Sequence, residues 1–247
     1  SDITDSLRRA VPAGGATGDD FAAIASTLET IGLVRSYLLE LPEELGSLIA
    51  LGGALPQFAD DVAAIQRVVA SDGQIRDDAS DRLQRIRRET DQTAQQVHDV
   101  IYSYLRRSEV RKLLQDATVT IHQDRFVLPV RAENRGRLPG VVHRVSGSGA
   151  TVFVEPNACV ELNNRLTDLR DDERLEIARL LNELAMRLAR KVPTMLRALK
   201  LAAQVDLLSA KAQYSYKFNF IRPALADDGI IRLPQARHPL LIEQFYR

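Results

Sequence analysis

The chain has 247 residues, enough to bury a real core in one or two domains, and its 45% hydrophobic and 5% aromatic content is that of an ordinary helix-rich soluble protein. Basic and acidic residues number 33 each, so bulk charge gives no support to nucleic-acid binding and any polyanion footprint has to be local. One cysteine, Cys159, excludes an intramolecular disulfide and a cysteine metal cluster, and no apolar run approaches the roughly 18 residues of a membrane helix.

The first 80 residues read as helices packed between turns. In "FAAIASTLETIGLVRSYLLEL", Phe21, Ile24, Leu28, Ile31, Val34 and Leu38 recur at three- and four-residue steps. Pro42, Gly46, Gly52, Gly53 and Pro56 punctuate the next stretch, "LPEELGSLIALGGALPQF", and the whole half is expected to form a helical bundle. No basic and then apolar leader opens the chain. It begins at "SDITDSLRRA" without Met and closes in mid-pattern, as expected of a piece of a longer polypeptide.

The next element differs in kind. Leu83, Ile86, Thr90, Thr93, Val97, Val100 and Tyr104 are spaced 3-4-3-4-3-4, a heptad seam over Asp81 to Arg106. As one helix this stretch is about 39 Å long. Two Thr weaken the seam, so the helix needs a partner. After Pro156, Leu162, Leu166, Leu169, Ile177, Leu181, Leu184 and Leu188 offer one, up to a break or kink at Pro193. Two amphipathic helices, one outgoing and one returning, predict an antiparallel arm. The apolar segment after Pro193 is expected to return into the bundle.

Between the two helices lies the β signal. "ATVTIHQDRFVLPVRAE" alternates around a Gln123-Asp124 turn, and "GVVHRVSGSGATVFVE" alternates around Ser146 to Gly149. The expected class is mainly α (α+β): a helical core over residues 1–80 and 193–247, lever helices over 81–116 and 157–192, and a β-hairpin clamp over 117–156.

The glycine-rich "SGSGA" invites functional readings that its surroundings exclude. A phosphate-cradling loop needs G-x-x-x-x-G-K-[ST] before a helix, whereas "GSGATVFV" lacks Lys and leads into a strand. No other stretch fits, so no ATP is expected to bind this piece alone. A serine nucleophile needs a G-x-S-x-G elbow, which neither Ser146 nor Ser148 has. His98, His122, His143 and His238 are scattered, which gives no zinc spacing. The acidic pairs Asp19-Asp20, Asp60-Asp61, Asp77-Asp78, Asp171-Asp172 and Asp227-Asp228 mostly sit where carboxylates cap helices. No catalytic, cofactor or metal residue is expected here.

The β segment carries a local charge. Arg125, Arg131, Arg135, Arg137 and Arg144 stand against Asp124, Glu133 and Glu155, five against three, a net +2. Arg presents a planar fork to phosphate oxygens, and most protein–DNA hydrogen bonds go to the backbone. A solvated sheet face with ordinary ion pairs is the competing reading of this modest excess.

The segment "TVTIHQDRFVLPVRAENRGRLPGVVHRVSGSGATVFVEPNACVELNNRL" resembles the clamp and lever of the MutS family, specifically the bacterial type-two branch without a mismatch-reading N-terminal domain. The runs R-[FY]-V-[IL]-P-V-[KR], R-G, P-G-[IV]-V-H, S-x-S-G-A-T-x-F-[IV]-E-P and [VL]-E-L-N-N are almost unbroken. Weaker echoes in "DGQIRDDASDRLQRIRRE" and "IRLPQARHPLL" extend the likeness over the chain. The resemblance implies a core, lever and clamp from a longer, homodimeric, bacterial cytoplasmic enzyme, nucleoid- or ribosome-associated. An ATPase domain holding ATP and Mg²⁺ would come after "ARHPLL", with a small MutS-related endonuclease domain further on. The implied partner is branched or double-stranded DNA, with suppression of homologous recombination as the outcome and no membrane involved. Arg125, Arg131, Arg135, Arg137, Arg144, Ser148 and Gly149 are the expected nucleic-acid contacts. Two other readings stay open: a ribosome-binding quality-control factor that splits stalled ribosomes, and a purely structural dimerisation arm.

Overall fold

The computed structural model of the protein describes residues 2–122, 125–225, 227, 229–234, 236 and 238. The Gln123-Asp124 turn lies outside the described residues, as do Arg237 and residues 239–241 of "ARHPLL". The described residues are mainly helical, with one four-stranded antiparallel sheet. They divide into two compact units, one of residues 1–27 and 59–192 and one of 28–58 and 193–247.

In the first unit, helix α1 (Thr4–Arg9) and the start of α2 (Gly18–Leu39) are joined by a buried carboxylate. Thr17 precedes α2 and Asp20 lies three residues on. The Thr17 N–H donates to Asp20 Oδ2 at 3.0 Å, and the Asp20 N–H donates back to Thr17 Oγ1 at 3.4 Å. This reciprocal box satisfies two orphan amides at the helix mouth. Arg9 at 2.5 Å and Ser6 at 2.8 Å complete the shell. The Arg9 guanidinium, with the Thr17 and Ser6 donors, holds the Asp20 carboxyl far below the usual carboxylate range.

The arm is formed by α5 (Asp81–Arg106) and α7 (Asn157–Ala189). Ser80 caps α5 by accepting from the Leu83 N–H at 3.0 Å, and its hydroxyl donates to Glu176 at 2.7 Å. Further along, Arg87 donates to Glu173 at 2.7 Å, and Arg165 pairs with Glu89. Partners fall in α7 as they rise in α5, so the helices run antiparallel and side by side.

Leu83, Ile86, Thr93, Val97 and Ile101 are the buried residues of α5. The expected seam holds for its first four turns and then moves from Val100 to Ile101. A straight helix has 3.6 residues per turn, so a 3.5-residue stripe drifts by about 20° per heptad. Thr90 is half-buried, with its hydroxyl donating back to the Ile86 carbonyl at 2.9 Å. On α7 the buried set is Cys159, Asn163, Leu166, Leu169, Glu176, Leu180, Leu184, Ala185 and Leu188, so Leu180 replaces Leu181 and Ile177 at the centre. The α7 end of this unit meets α4 (Ala59–Val68), where Lys191 Nζ reaches both oxygens of buried Asp61 at 2.8 Å.

Strands β1 (Thr120–His122), β2 (Arg125–Arg131), β3 (Gly140–Val145) and β4 (Thr151–Pro156) lie in the order β1-β2-β4-β3. Both expected hairpins form, and β2 joins them by pairing with β4 from Leu128↔Val154 to Arg131↔Thr151. Alternation buries Leu128, Val130, Val152 and Val154 in one cluster with Val97 and Ile101 of α5 and Cys159 and Leu166 of α7. Each such side chain contributes roughly 1.5–3 kcal/mol by leaving water. The sheet is therefore welded to the end of the arm where α5 finishes and α7 begins.

In the second unit, α3 (Gly46–Ala54) closes on the second half of α2. A Cβ at Gly52 would stand 2.7 Å from Leu38 Cβ, and Arg35 Nε donates to the Leu55 carbonyl at 3.0 Å. Helix α8 (Val192–Lys217) carries Pro193 in its first turn, where a missing N–H costs nothing. It buries Met195 and Ala198 and leaves Leu207, Leu208 and Tyr214 exposed. Among the described residues no single helix is long and apolar enough to cross a membrane.

Glu176 is 1% exposed in the arm. Hydrogen bonds from Arg179, then from Ser80, hold its carboxyl down from the ordinary 4.5 to about 2. A carboxyl lowered in the folded state stabilises above its unfolded value and loses that contribution as pH falls through the folded one. Melting temperatures followed by circular dichroism are expected to drop between pH 4.5 and about pH 2, and Glu176→Gln to flatten that decline while lowering stability at neutral pH.

Candidate nucleic-acid interface

The sheet has two chemically different ends. At one end β4 enters α7, and Glu155 is buried to 1% exposure. Arg125 Nη1 donates to its two oxygens at 3.0 and 3.1 Å, and Asn163 Nδ2 donates to Oε1 at 2.7 Å. His143 Nε2 lies 2.5 Å from Oε2. Arg125 Nη2 also donates to Asn164 Oδ1 at 2.6 Å, and Asn163 exchanges hydrogen bonds at 3.3 Å with the backbone N–H and carbonyl of Phe126. A buried carboxylate is stable only when its lone pairs are used, and here charge and geometry are both met.

Local sequence makes this convergence possible. The register of β3 shifts between Val142 and Arg144, leaving His143 as an extra residue. Such a bulge re-aims a side chain, here toward Glu155. Gly140 permits the close approach of β3 to β4, since a Cβ there would stand 2.2 Å from the Glu155 carbonyl oxygen.

Cys159 is fully buried in the first turn of α7. A helix N-terminus favours a thiolate, yet burial, and after it the Glu155 charge, pushes the thiol up to about 11.

The opposite end of the sheet is open and arginine-rich. Arg131 is exposed at the end of β2, with its Nε donating to the Leu114 carbonyl at 3.2 Å. A short 3₁₀ turn, Ala132–Asn134, leads to exposed Arg135 and Arg137, the latter 3.5 Å from Asn134 Oδ1. The Ala132 N–H donates to the Ala150 carbonyl at 3.0 Å, which sets this turn against the β3–β4 loop. In that loop the Gly149 N–H donates to the Ser146 carbonyl at 2.9 Å, and Gly149 takes φ +72°, a conformation open to glycine. Ser148 is exposed, its hydroxyl 3.3 Å from that of Ser146, and Arg144 is exposed on β3, paired with Phe153 of β4.

The structure thus brings Arg131, Arg135, Arg137, Arg144, Ser148 and Gly149 to one end of the sheet. Arg125 is placed at the other, its guanidinium committed to Glu155 and Asn164. Its alternation within "DRFVLPVR" gave no sign of this, because the partners lie 30 and 39 residues away. Sequence reasoning also passed over His143, Glu155 and Asn163 as site residues, although each stands inside a quoted motif. Gly147 and Gly149 join two antiparallel strands, which is not the strand-to-helix setting of a nucleotide-phosphate loop, and no group of three or more His, Cys, Asp or Glu among the described residues could hold a metal.

These features define a class: a two-helix arm that carries a small antiparallel sheet, pinned at its base and basic at its rim. No protein-family model matches the chain. Curated relatives do, and share one name. Endonuclease MutS2 of Geobacillus sp. (strain WCH70) is 39% identical over 246 residues, covering 97% of this chain and 31% of the relative. Endonuclease MutS2 of Symbiobacterium thermophilum is 36% identical over 240 residues, covering 97% and 30%, and that of Listeria innocua 35% over 244, covering 98% and 31%. The chain belongs to the MutS family and corresponds to a segment of its MutS2 branch, spanning about a third of the length of the relatives it matches.

Arg125→Ala strips the main counter-charge from a buried carboxylate. It is expected to cost about 3 kcal/mol in urea unfolding, whereas Arg135→Ala changes stability by less than about 0.5 kcal/mol. Cys159 is expected to resist thiol reagents in the native protein near about pH 8 and to titrate as one thiol in urea.

Proposed function

We propose that this chain is the DNA-gripping segment of a MutS2-type enzyme, with the β rim, held at the end of the two-helix arm, contacting phosphates. The observation behind this reading is the clustering of Arg131, Arg135, Arg137 and Arg144 at one exposed sheet end, while Arg82, Arg87, Arg165 and Arg179 of the arm are paired with carboxylates. Exposed, unpaired guanidinium groups are the cheapest ones to transfer to phosphate, because no existing ion pair is lost. The sheet is joined to its arm by a buried apolar cluster and the Glu155 network, so the rim is a rigid surface.

The full-length protein would be a homodimeric ATPase and endonuclease that binds branched or double-stranded DNA and suppresses homologous recombination. Its name in the relatives supports the nuclease part. ATP and Mg²⁺ would be held elsewhere in the protein. The segment itself would bind, orient and transmit, with no catalytic group of its own.

Arg135→Ala combined with Arg137→Ala is expected to weaken binding to four-way-junction DNA about tenfold in a gel-shift titration. Unchanged affinity would remove the rim from the DNA site. The same titration with ribosomes distinguishes the ribosome-splitting role, in which ribosomes and not junctions lose affinity.

A further inference from the structure

A second group of cations meets the rim from a direction that the chain order hides. Helix α5 ends at Arg106, Arg107 precedes the one-turn helix α6 (Ser108–Arg111), and Lys112 comes directly after it. All four basic residues of this corner are exposed, and no ion pair among the described residues involves any of them. The Arg107 guanidinium rests 4.8 Å from the Tyr104 ring centroid. Elsewhere on the arm Arg82, Arg87, Arg165 and Arg179 each have a carboxylate.

The corner is tied to the rim through the backbone. Residues 113–115 lie along the end of β2: the Gln115 N–H donates to the Pro129 carbonyl at 2.8 Å, and the Arg131 N–H donates to the Leu113 carbonyl at 2.9 Å. Lys112 is therefore one residue from the carbonyl that holds Arg131, and Arg135 and Arg137 continue the line. Residues 106–116 and 131–137 together hold seven basic residues against Glu109, Asp116 and Glu133, a net charge of +4 in a chain whose total is zero. Arg107 and Arg111 are four residues apart, about 6 Å between Cβ atoms if the turn is regular.

Resting on the DNA reading above, we propose that the α5–α6 corner is a second phosphate-contacting surface for a DNA duplex, continuous through Arg131 with the arginines of the rim. Its chemistry is exposed positive charge, which suits the sugar–phosphate backbone, so its contribution to binding is expected to fall steeply with salt.

The test is fluorescence anisotropy of the intact 247-residue chain with labelled four-way-junction DNA, from about 50 to about 200 mM KCl. Arg107→Ala with Arg111→Ala is expected to reduce the steepness of log affinity against log salt by about 2, and to weaken binding about tenfold. An Arg85→Ala, Arg88→Ala control on the exposed side of α5 is expected to leave the steepness unchanged. Junction binding by the parent with an unaltered slope in the corner variant overturns this inference alone. An equal loss in the control overturns it too, since bulk charge would then be acting. A loss confined to a parallel RNA duplex overturns the assignment to DNA. A parent that binds no junction at all overturns the reading under Proposed function and this one with it. The substituted side chains are solvent-exposed, and unchanged melting curves confirm that folding is not the cause.

Discussion

A carboxylate buried to 1% exposure has to be paired, and Glu155 is the constraint around which the end of the arm is organised. Its partners come from β2 (Arg125), β3 (His143) and α7 (Asn163), while Glu155 itself is in β4. Four segments thus share one charge in a region of low dielectric, where losing any partner is costly and an alternative packing would strand the charge. Apolar burial of Leu128, Val130, Val152 and Val154 supplies most of the driving force at this junction. Apolar contact is non-directional, however, and the hydrogen-bonded carboxylate supplies direction.

The same division of labour recurs down the arm. The seam of α5 against α7 contains buried Thr93 and half-buried Thr90, so hydrophobic contact alone is thin in the middle of α5. Ser80 to Glu176, Arg87 to Glu173 and Arg165 to Glu89 span the pair at intervals and fix its antiparallel register. Most of these pairs are partly exposed, so each contributes little energy. Their value lies in excluding slipped alignments. Glu176 is the exception: fully enclosed and served by a cap residue of the facing helix, it links the start of α5 to α7.

A two-helix arm ending in a rigid sheet sets what the far rim can do. Arg125 and Glu155 cancel at the base, which removes one of the three acids and one of the five arginines from the charge counted along the strands. What remains exposed is more concentrated than composition implies. Arg131, Arg135, Arg137 and Arg144 stand on one end of the sheet, and the α5–α6 corner reaches the same end through the backbone pairing of residues 113–115 with β2. A neutral chain can present a basic edge when its basic and acidic residues are unevenly distributed over the surface.

The sequence by itself determined the elements: the 3-4 spacing from Leu83 to Val97, the alternation of "RFVLPVR" and "TVFVEP", and the helix break just before Pro193 are local signals that period and backbone sterics translate directly. It also determined the kind of chain, through the motifs shared with the MutS family. What only the tertiary structure decided is which polar groups are consumed and which are free. Arg125 and Arg131 both punctuate the same strand, yet one is locked to Glu155 across 30 residues of chain and the other is exposed at the rim. The joining of β2 to β4, the bulge that turns His143 inward and the arrival of Lys112 beside Arg131 depend on contacts between distant segments. No local period encodes them, because they are set by how strands and helices share one buried charge and one apolar cluster.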